Sequence, residues 1–314
     1  MILKVLRAIY CKTQKDLDMI DFVKVYYTDK EALQYYVENE EEIFTEVNRT
    51  LEMRSGEIKY PLETNYQKMF VKILEKRGFV QNSLHKFFDH YSGNNGENYS
   101  DFKYSSLLEV ISHLEKNIIG VGLQRITNLE FGINIEVPRP PMDIIKENIL
   151  MHKYHIHKSL NTYNGNGYLK QFNHSNYVIK VYDKGKQYRL GRNLLRFEIR
   201  FTKSKLLNQL MVYNLQSLKN KVVLKNLMSY LIKRFDEMQI VDEAECNLLD
   251  LKGQAFYDQC SSYVYWQQVK KKSYTTISRK KKCWETFLEE KDLLTTKKLL
   301  RLKLEDKFKY LINN

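Results

Sequence analysis

The stretch from Tyr177 to Thr202, YVIKVYDKGKQYRLGRNLLRFEIRFT, gathers a phenol, two ammonium groups and a carboxylate. Tyr182, Lys184 and Lys186 fall in its first half and Glu198 in its second, while a further carboxylate, Glu130, lies upstream in RITNLEFGINIEV. These groups suit one reaction. A tyrosine oxygen aligned with phosphorus can displace the 3′ oxygen of a phosphodiester, giving a 5′-phosphotyrosine and a free 3′ hydroxyl, and the covalent link conserves the bond for later rejoining. A divalent cation polarises the phosphate, carboxylate oxygens hold such a cation, and lysine attracts the phosphate electrostatically. Tyr182 is the first candidate nucleophile because it shares its motif with the lysines. Tyr188, across the same loop, is the local alternative, since a one-residue register slip would exchange the faces. Lys184 and Lys186 are the candidates to position phosphate. Glu130 and Glu198 are the candidate ligands of Mg2+ or Mn2+. Ordinary explanations stand beside these. The chain has 23 tyrosines, strands favour tyrosine, and Arg196 alone would account for a carboxylate at Glu198.

Positioning such groups requires strands. Tyr177, Ile179 and Val181 alternate with Val178, Lys180 and Tyr182, and Leu195, Phe197, Ile199 and Phe201 repeat the period-2 pattern after the glycines at 185 and 191. Arg125–Val137 is expected as a central strand, with Leu129, Phe131, Ile133 and Ile135 towards the core; PRPP at 138–141 ends it because proline cannot donate to a ladder. Met19–Tyr27 reads as an early strand, Lys30–Asn39 as a short helix and Tyr66–Phe79 as a strand pair. HYSGNNGENYSDF has loop composition. A helix follows, with Ser105 or Ser106 as its cap and Leu107, Leu108, Ile111 and Leu114 as its apolar stripe. Asp143–Met151 is expected to be helical. From Lys203 helical periodicity dominates, as one long helix or a broken pair up to about Phe235. The fold class is therefore α+β: a mixed α/β body with a central antiparallel sheet over residues 19–205, then a basic helical region over 206–314 that binds DNA or oligomerises.

Fifty-one Lys and Arg against 38 Asp and Glu give a formal charge of +13, and most of the excess lies beyond residue 200. An anionic partner fits that balance. Cys11, Cys246, Cys260 and Cys283 are too far apart for a CxxC metal site and suit a reducing compartment. No stretch reaches 18 uninterrupted apolar residues, so the expectation is a cytoplasmic protein without integral membrane association. HKYHIH, with His152, His155 and His157, invites a metal reading but is expected to form a polar surface patch. His85 and His174 are the supporting candidates, each with a structural or surface role as the ordinary alternative.

Taken in order, these segments resemble replication-initiation endonucleases of the filamentous-phage gene II type and the related plasmid replication-initiation factors. NLEFGINIEV (128–137) is similar to their acidic central strand, YVIKVYDKGKQ (177–187) to their tyrosine-bearing YDKxxE segment and LLRFEIRF (194–201) to the following acidic strand. NSLHKFFDHYSGNNGENYSDF adds to the likeness, which covers residues 20–205. The resemblance implies a mixed α/β nickase fold, a divalent cation and a tyrosine nucleophile at Tyr182, with Glu130 and Glu198 as acidic site residues. Gln187 stands where the family commonly has Glu, so the full acidic set does not transfer. The implied function is rolling-circle replication initiation: nicking of a single-stranded or locally melted DNA origin, with a host helicase and a homodimer as candidate partners. A conjugative or mobilisation relaxase uses the same strand-transfer chemistry, and a noncatalytic DNA-binding protein is the alternative from another class.

Overall fold

Alternating burial along eight residues makes Ile20–Tyr27 the first strand, β1, of the computed structural model, which describes residues 19–314 except 45, 164–165 and 244–248. The fold class is α+β, with a large antiparallel sheet and a helical C-terminal region. Ten strands hydrogen-bond in the order β2-β3-β4-β5-β1-β6-β11-β10-β9-β8, and every pairing with a described register is antiparallel. Two compact units divide the chain, with boundaries inside β6 (Arg125–Glu136) and β11 (Leu194–Phe201).

The first unit takes the described residues up to Ile133, Arg200–Leu227 and Phe308–Asn314. Here β1 is flanked on both edges, by β5 (Arg77–Ser83) with Val25 opposite Val80 and by β6 with Val23 opposite Leu129. Outward from β5 lie β4 (Met69–Leu74), β3 (Ile58–Tyr66) and β2 (Val47–Leu51). Asp29 caps helix α1 (Lys30–Asn39) by accepting from the Ala32 amide at 3.0 Å. Ser83 ends β5 and caps α2 (Leu84–Tyr91) through the Lys86 amide at 3.0 Å. Helix α3 (Tyr104–Asn117) buries Leu107, Val110, Ile111 and Leu114, so Val110 replaces Leu108 in the expected stripe. Neither expected serine caps it: Lys103 is the cap residue, and Ser105 Oγ instead donates to the Asn314 carbonyl at 2.7 Å.

The second unit takes Asn134–Ile199 and Met228–Lys307. The sequence predicts a helix over Asp143–Met151; the chain instead makes one helical turn, Pro141–Asp143, a π turn over Ile144–Asn148, and strand β7 (Ile149–His152). Two interactions favour this arrangement. β7 pairs with β12 (Met238–Ile240), and the buried Lys170 ammonium donates to the carbonyls of Lys146 (3.2 Å) and Ile149 (2.6 Å) at the end of the turn. Burial lowers the Lys170 pKa to about 8. β8 (Ser159–Tyr163), β9 (Asn166–Asn173) and β10 (Tyr177–Asp183) lead to β11.

The expected run from Lys203 is a broken set: α4 (Ser204–Gln209), a 3-10 turn (Gln216–Lys219) and α5 (Lys221–Asp236). Helices α6 (Leu251–Ser261), α7 (Tyr263–Val269), α8 (Tyr274–Glu290) and α9 (Thr295–Asn313) follow. In the second unit, Trp266, Trp284 and Leu288 pack with Met151 and Tyr154 in one apolar cluster. Each indole N–H has an acceptor there, Cys260 O at 2.7 Å and Gln239 Oε1 at 3.1 Å, as a buried indole requires. Among the described residues no helix is long and apolar enough to cross a membrane. Cys11, Cys246 and the segment before Met19 lie outside the described residues.

Candidate active site

On β1, an aspartate interrupts the apolar run MIDFV. Asp21 is buried, and its carboxylate accepts from the Ser83 hydroxyl through Oδ1 and from Asn98 Nδ2 through Oδ2 at 2.5 Å. The 92–103 loop delivers Asn98 because it is tied down elsewhere. Asp89 accepts from the Gly96 and Glu97 amides, each at 2.9 Å, and His85 Nε2 lies 2.8 Å from Ser100 Oγ while stacking on Phe102. His85 is thus a fully buried residue that anchors this loop. Glu130, on β6, is partly buried and lies 3.6 Å from the Arg200 guanidinium, which also donates to Asn128 at 3.3 Å.

Glu198, on β11, is 1 % exposed. A charge so buried needs compensation, and three donors supply it: Lys180 Nζ at 2.9 Å, Arg196 Nε at 2.7 Å and the Tyr182 hydroxyl at 3.1 Å. Arg196 in turn donates to Asn134 Oδ1 at 3.1 Å. Burial pushes the Glu198 carboxyl upward, but Lys180 and Arg196 outweigh it and hold the group well below the usual carboxylate range. It is ionised at neutral pH, which is the form that binds a cation.

Within the first unit, the Asp21 and Glu130 carboxylates each offer one oxygen, and these oxygens lie within 4.8 Å of one another. An all-oxygen donor set of this span fits a hard divalent cation such as Mg2+ or Mn2+. The sequence brings Glu130 into view, as it does Glu198. Asp21 escapes the strand pattern, although an aspartate inside a strand of apolar neighbours is itself a signal, since such a group is stable only when paired or hydrogen-bonded.

The YDKGKQ segment forms a tight corner. Asp183 caps the Lys184–Gln187 turn by accepting from the Lys186 amide at 2.8 Å, and burial raises its carboxyl pKa against that bond. Gly185 is required for closure, because a Cβ there would fall on the Arg192 carbonyl oxygen. The two lysines diverge. Lys184 is buried with its ammonium 5.6 Å from the Tyr182 ring centre and 4.9 Å from that of Tyr188, whereas Lys186 is exposed. Tyr182 is 3 % exposed and Tyr188 is less buried.

The histidines assemble a different cluster. His152, expected at the surface, is fully buried. Its Nδ1 lies 2.8 Å from His174 Nε2 and its Nε2 lies 3.1 Å from the Arg234 carbonyl. That carbonyl fixes the tautomer: Nε2 donates to it, so Nδ1 accepts from His174. His174 stacks on Tyr177, whose hydroxyl accepts from Arg234 (3.0 Å) and Lys153 (3.1 Å). Burial, helped by neighbouring cations, lowers His152 to about 3 and His174 to about 4.

No family model matches the chain, and no curated protein matches it. Among solved structures, a rolling circle replication initiator protein from Geobacillus stearothermophilus is similar at 11 % identity and a TM-score of 0.38, over 74 % of this chain and 89 % of that one. A likeness at that level carries no argument about this chain's activity.

Proposed function

We propose that the chain initiates rolling-circle replication by nicking origin DNA through tyrosine-mediated, divalent-metal-assisted strand transfer. The observation that carries this reading is the Tyr182 hydroxyl hydrogen-bonded to the buried, ionised Glu198 carboxylate; in the first unit the Asp21 and Glu130 carboxylates lie within 4.8 Å of one another. The resemblance of NLEFGINIEV, YVIKVYDKGKQ and LLRFEIRF supplies the replication context. In this proposal Asp21, Glu130 and Glu198 hold Mg2+ or Mn2+, which when bound polarises the scissile phosphate. Glu198 accepts the hydrogen bond that orients the Tyr182 phenol, and the phenol proton passes to solvent. The phenol oxygen forms the new bond to phosphorus, the bond from phosphorus to the 3′ oxygen breaks, and that oxygen takes a proton from solvent and leaves as a hydroxyl. Lys184 backs the phenol, and the exposed Lys186 meets the phosphate. His85 supports the site through the loop that carries Asn98, and His174 supports the distal end of β10. Because Tyr188 is less buried and shares Lys184 with Tyr182, it is the second candidate nucleophile.

The basic region 206–314 adds phosphate contacts in this scheme, with a host helicase and a second copy of the chain as further partners. The test uses supercoiled DNA carrying the origin of the chain's own replicon, with Mg2+ or Mn2+. A site-specific nick with protein linked to the 5′ end is expected, and Asp21→Asn or Glu130→Gln should weaken Mn2+ binding by calorimetry about tenfold or more while leaving the circular dichroism unchanged. Nicking without any covalent adduct, or undiminished Mn2+ binding in the Asp21→Asn, Glu130→Gln double variant, would contradict the mechanism.

A further inference from the structure

The sheet of the first unit has one face that takes no part in the proposed nicking. Helices α1 and α2 lie on the other face, where Leu33 fills the space a Gly78 side chain would take and the Phe87 and Tyr66 ring centres are 6.1 Å apart. On the open face, the alternation of the strands brings up Phe22, Lys24 and Tyr26 from β1, Phe79 from β5 and Lys72 from β4, with Tyr26 opposite Phe79 and Phe79 opposite Lys72. Cations sit over these rings. The Lys24 ammonium is 3.8 Å from the Phe79 ring centre and the Arg77 guanidinium 5.5 Å from it. Arg125, from β6, lies 5.2 Å from the Tyr26 ring centre, and Arg200, from β11, 5.9 Å from that of Phe22. Such contacts hold long side chains upright over the sheet. Arg77 and Arg125 are exposed, and Lys24 and Tyr26 are partly so.

Acids do not match these cations. On β1 to β6 within the first unit, Glu63 pairs with Lys72 at 2.6 Å, Glu130 with Arg200 at 3.6 Å, and Asp21 accepts from Ser83 and Asn98. The β4–β5 turn adds one charge of each sign, Glu75 and Lys76. Among the described residues, Lys24, Arg77 and Arg125 have no carboxylate within salt-bridge distance. Lys24 responds to its neighbours: burial first, then the charges of Arg77, Lys72 and Arg200, lower its pKa. Like charges gathered on one surface repel, and a polyanion laid across them relieves that cost. A sheet face that carries cations and aromatic rings is also a surface on which single nucleic-acid strands lie.

We infer that this face is a track for the backbone of a single DNA strand, with Lys24, Arg77 and Arg125 each meeting a phosphate. The choice of DNA rests on the proposed function; the charge complementarity does not. Asp21 and Glu130 lie on β1 and β6 beside the track, so the segment it holds is the one flanking the scissile phosphate. From Phe22 to Tyr26 the strand rises about 13 Å at about 3.3 Å per residue, room for about four stacked nucleotides at about 3.4 Å each. Backbone contacts of this kind steady the strand without choosing its sequence.

The measurement is fluorescence anisotropy of a fluorescein-labelled dT12 titrated with the full chain in EDTA, repeated across salt concentrations. Lys24→Gln with Arg77→Gln and Arg125→Gln should weaken binding about tenfold or more and make the salt slope shallower by about 2, at about 0.7 per phosphate contact. Arg54→Gln with Lys116→Gln and Lys225→Gln removes the same charge from exposed positions of the same unit and should change both much less. Arg77→Gln alone, at an exposed strand end, should remove about 0.7 of the slope and serves should the triple variant unfold. Equal losses from the two triple variants, or none from the first, would overturn the inference. Poly-glutamate that displaces labelled dT12 as readily as unlabelled dT12 does would also overturn it and mark a docking surface for an acidic protein. Because EDTA removes any metal-assisted nicking, a chain that binds dT12 as described but never forms an origin adduct would refute only the proposed function.

Discussion

Replacing Glu198 with Gln tests the site through its electrostatics. The side chain keeps its shape but loses the charge that Lys180 and Arg196 share at 2.9 and 2.7 Å. One amide oxygen cannot serve both cations, and the new NH2 group faces a donor. Removing one partner of a buried ion pair costs about 3–5 kcal/mol, because the remaining charge stays buried. Arg196 has no exposed side-chain surface and Lys180 keeps 13 %, so Lys180 can relax outward and the lower end, about 3 kcal/mol, applies. That corresponds to a fall in Tm of roughly 6–12 °C at about 2–4 °C per kcal/mol. The pH dependence follows from the direction of the shift. Burial raises the Glu198 pKa, Lys180 and Arg196 lower it further than that, and the folded value lies below the ordinary 4.5. The stabilisation is therefore fully present above about pH 4.5 and is lost as pH falls towards the folded value. Urea unfolding of both proteins should show a constant gap from pH 8 to 5 that narrows only in stronger acid. A gap under about 0.5 kcal/mol at pH 7, or one that closes between pH 8 and 6, would refute the reasoning.

Two further outcomes follow from local geometry. Gly185→Ala should destabilise the chain by about 1–3 kcal/mol, measured by urea unfolding, since its Cβ meets the Arg192 carbonyl; wild-type stability would show that the corner is not closed as described. Acidification from pH 6.5 to about 4 should reduce stability by up to about 1.4 kcal/mol per pH unit for the buried His152, with a smaller, solvent-screened loss from the half-buried His174, because the unfolded chain takes up protons at about 6.5 that the folded imidazoles refuse until about 3 and 4. His152→Gln should flatten that slope, and a wild-type urea midpoint that does not move between pH 7 and 5 would contradict it.

Much of the sheet was legible because its strands obey the period of two. β1, β6 and β10 start and stop within a residue of the expected bounds, where glycine, proline or a polar pair interrupts the alternation. The expected strand pair at Tyr66–Phe79 is the end of β3 followed by the β4–β5 hairpin. The long helical run after Lys203 was harder to divide without a proline. It breaks at Met211, whose φ is +65°, and at a side-chain turn in which Asn214 Oδ1 accepts from the Ser217 amide at 2.9 Å while Ser217 Oγ donates to the Asn214 carbonyl at 2.6 Å. Asn and Ser make such turns by competing with helical backbone bonds, so NLQS was a readable stop signal. Asp143–Met151 failed for a different reason: a π turn steadied by Lys170, and a strand paired with Met238–Ile240, depend on partners distant in sequence. At the site, the strand pattern put Glu198 off the apolar face, but its complete burial follows from Lys180 and Arg196 together, and Asp21 meets Glu130 only through the three-dimensional pairing of β1 with β6.

The most direct test of the central claim is to trap the covalent complex. A 5′-linked adduct formed with Mn2+ on origin DNA can be digested with trypsin, and the nucleotide-bearing peptide sequenced by mass spectrometry. The expected peptide contains Tyr182, and Tyr182→Phe should abolish the adduct while Tyr188→Phe retains it. Modification at Tyr188 would move the nucleophile across the corner. A modified residue outside Tyr177–Thr202, or an adduct that survives the Tyr182→Phe, Tyr188→Phe double variant, would contradict the account.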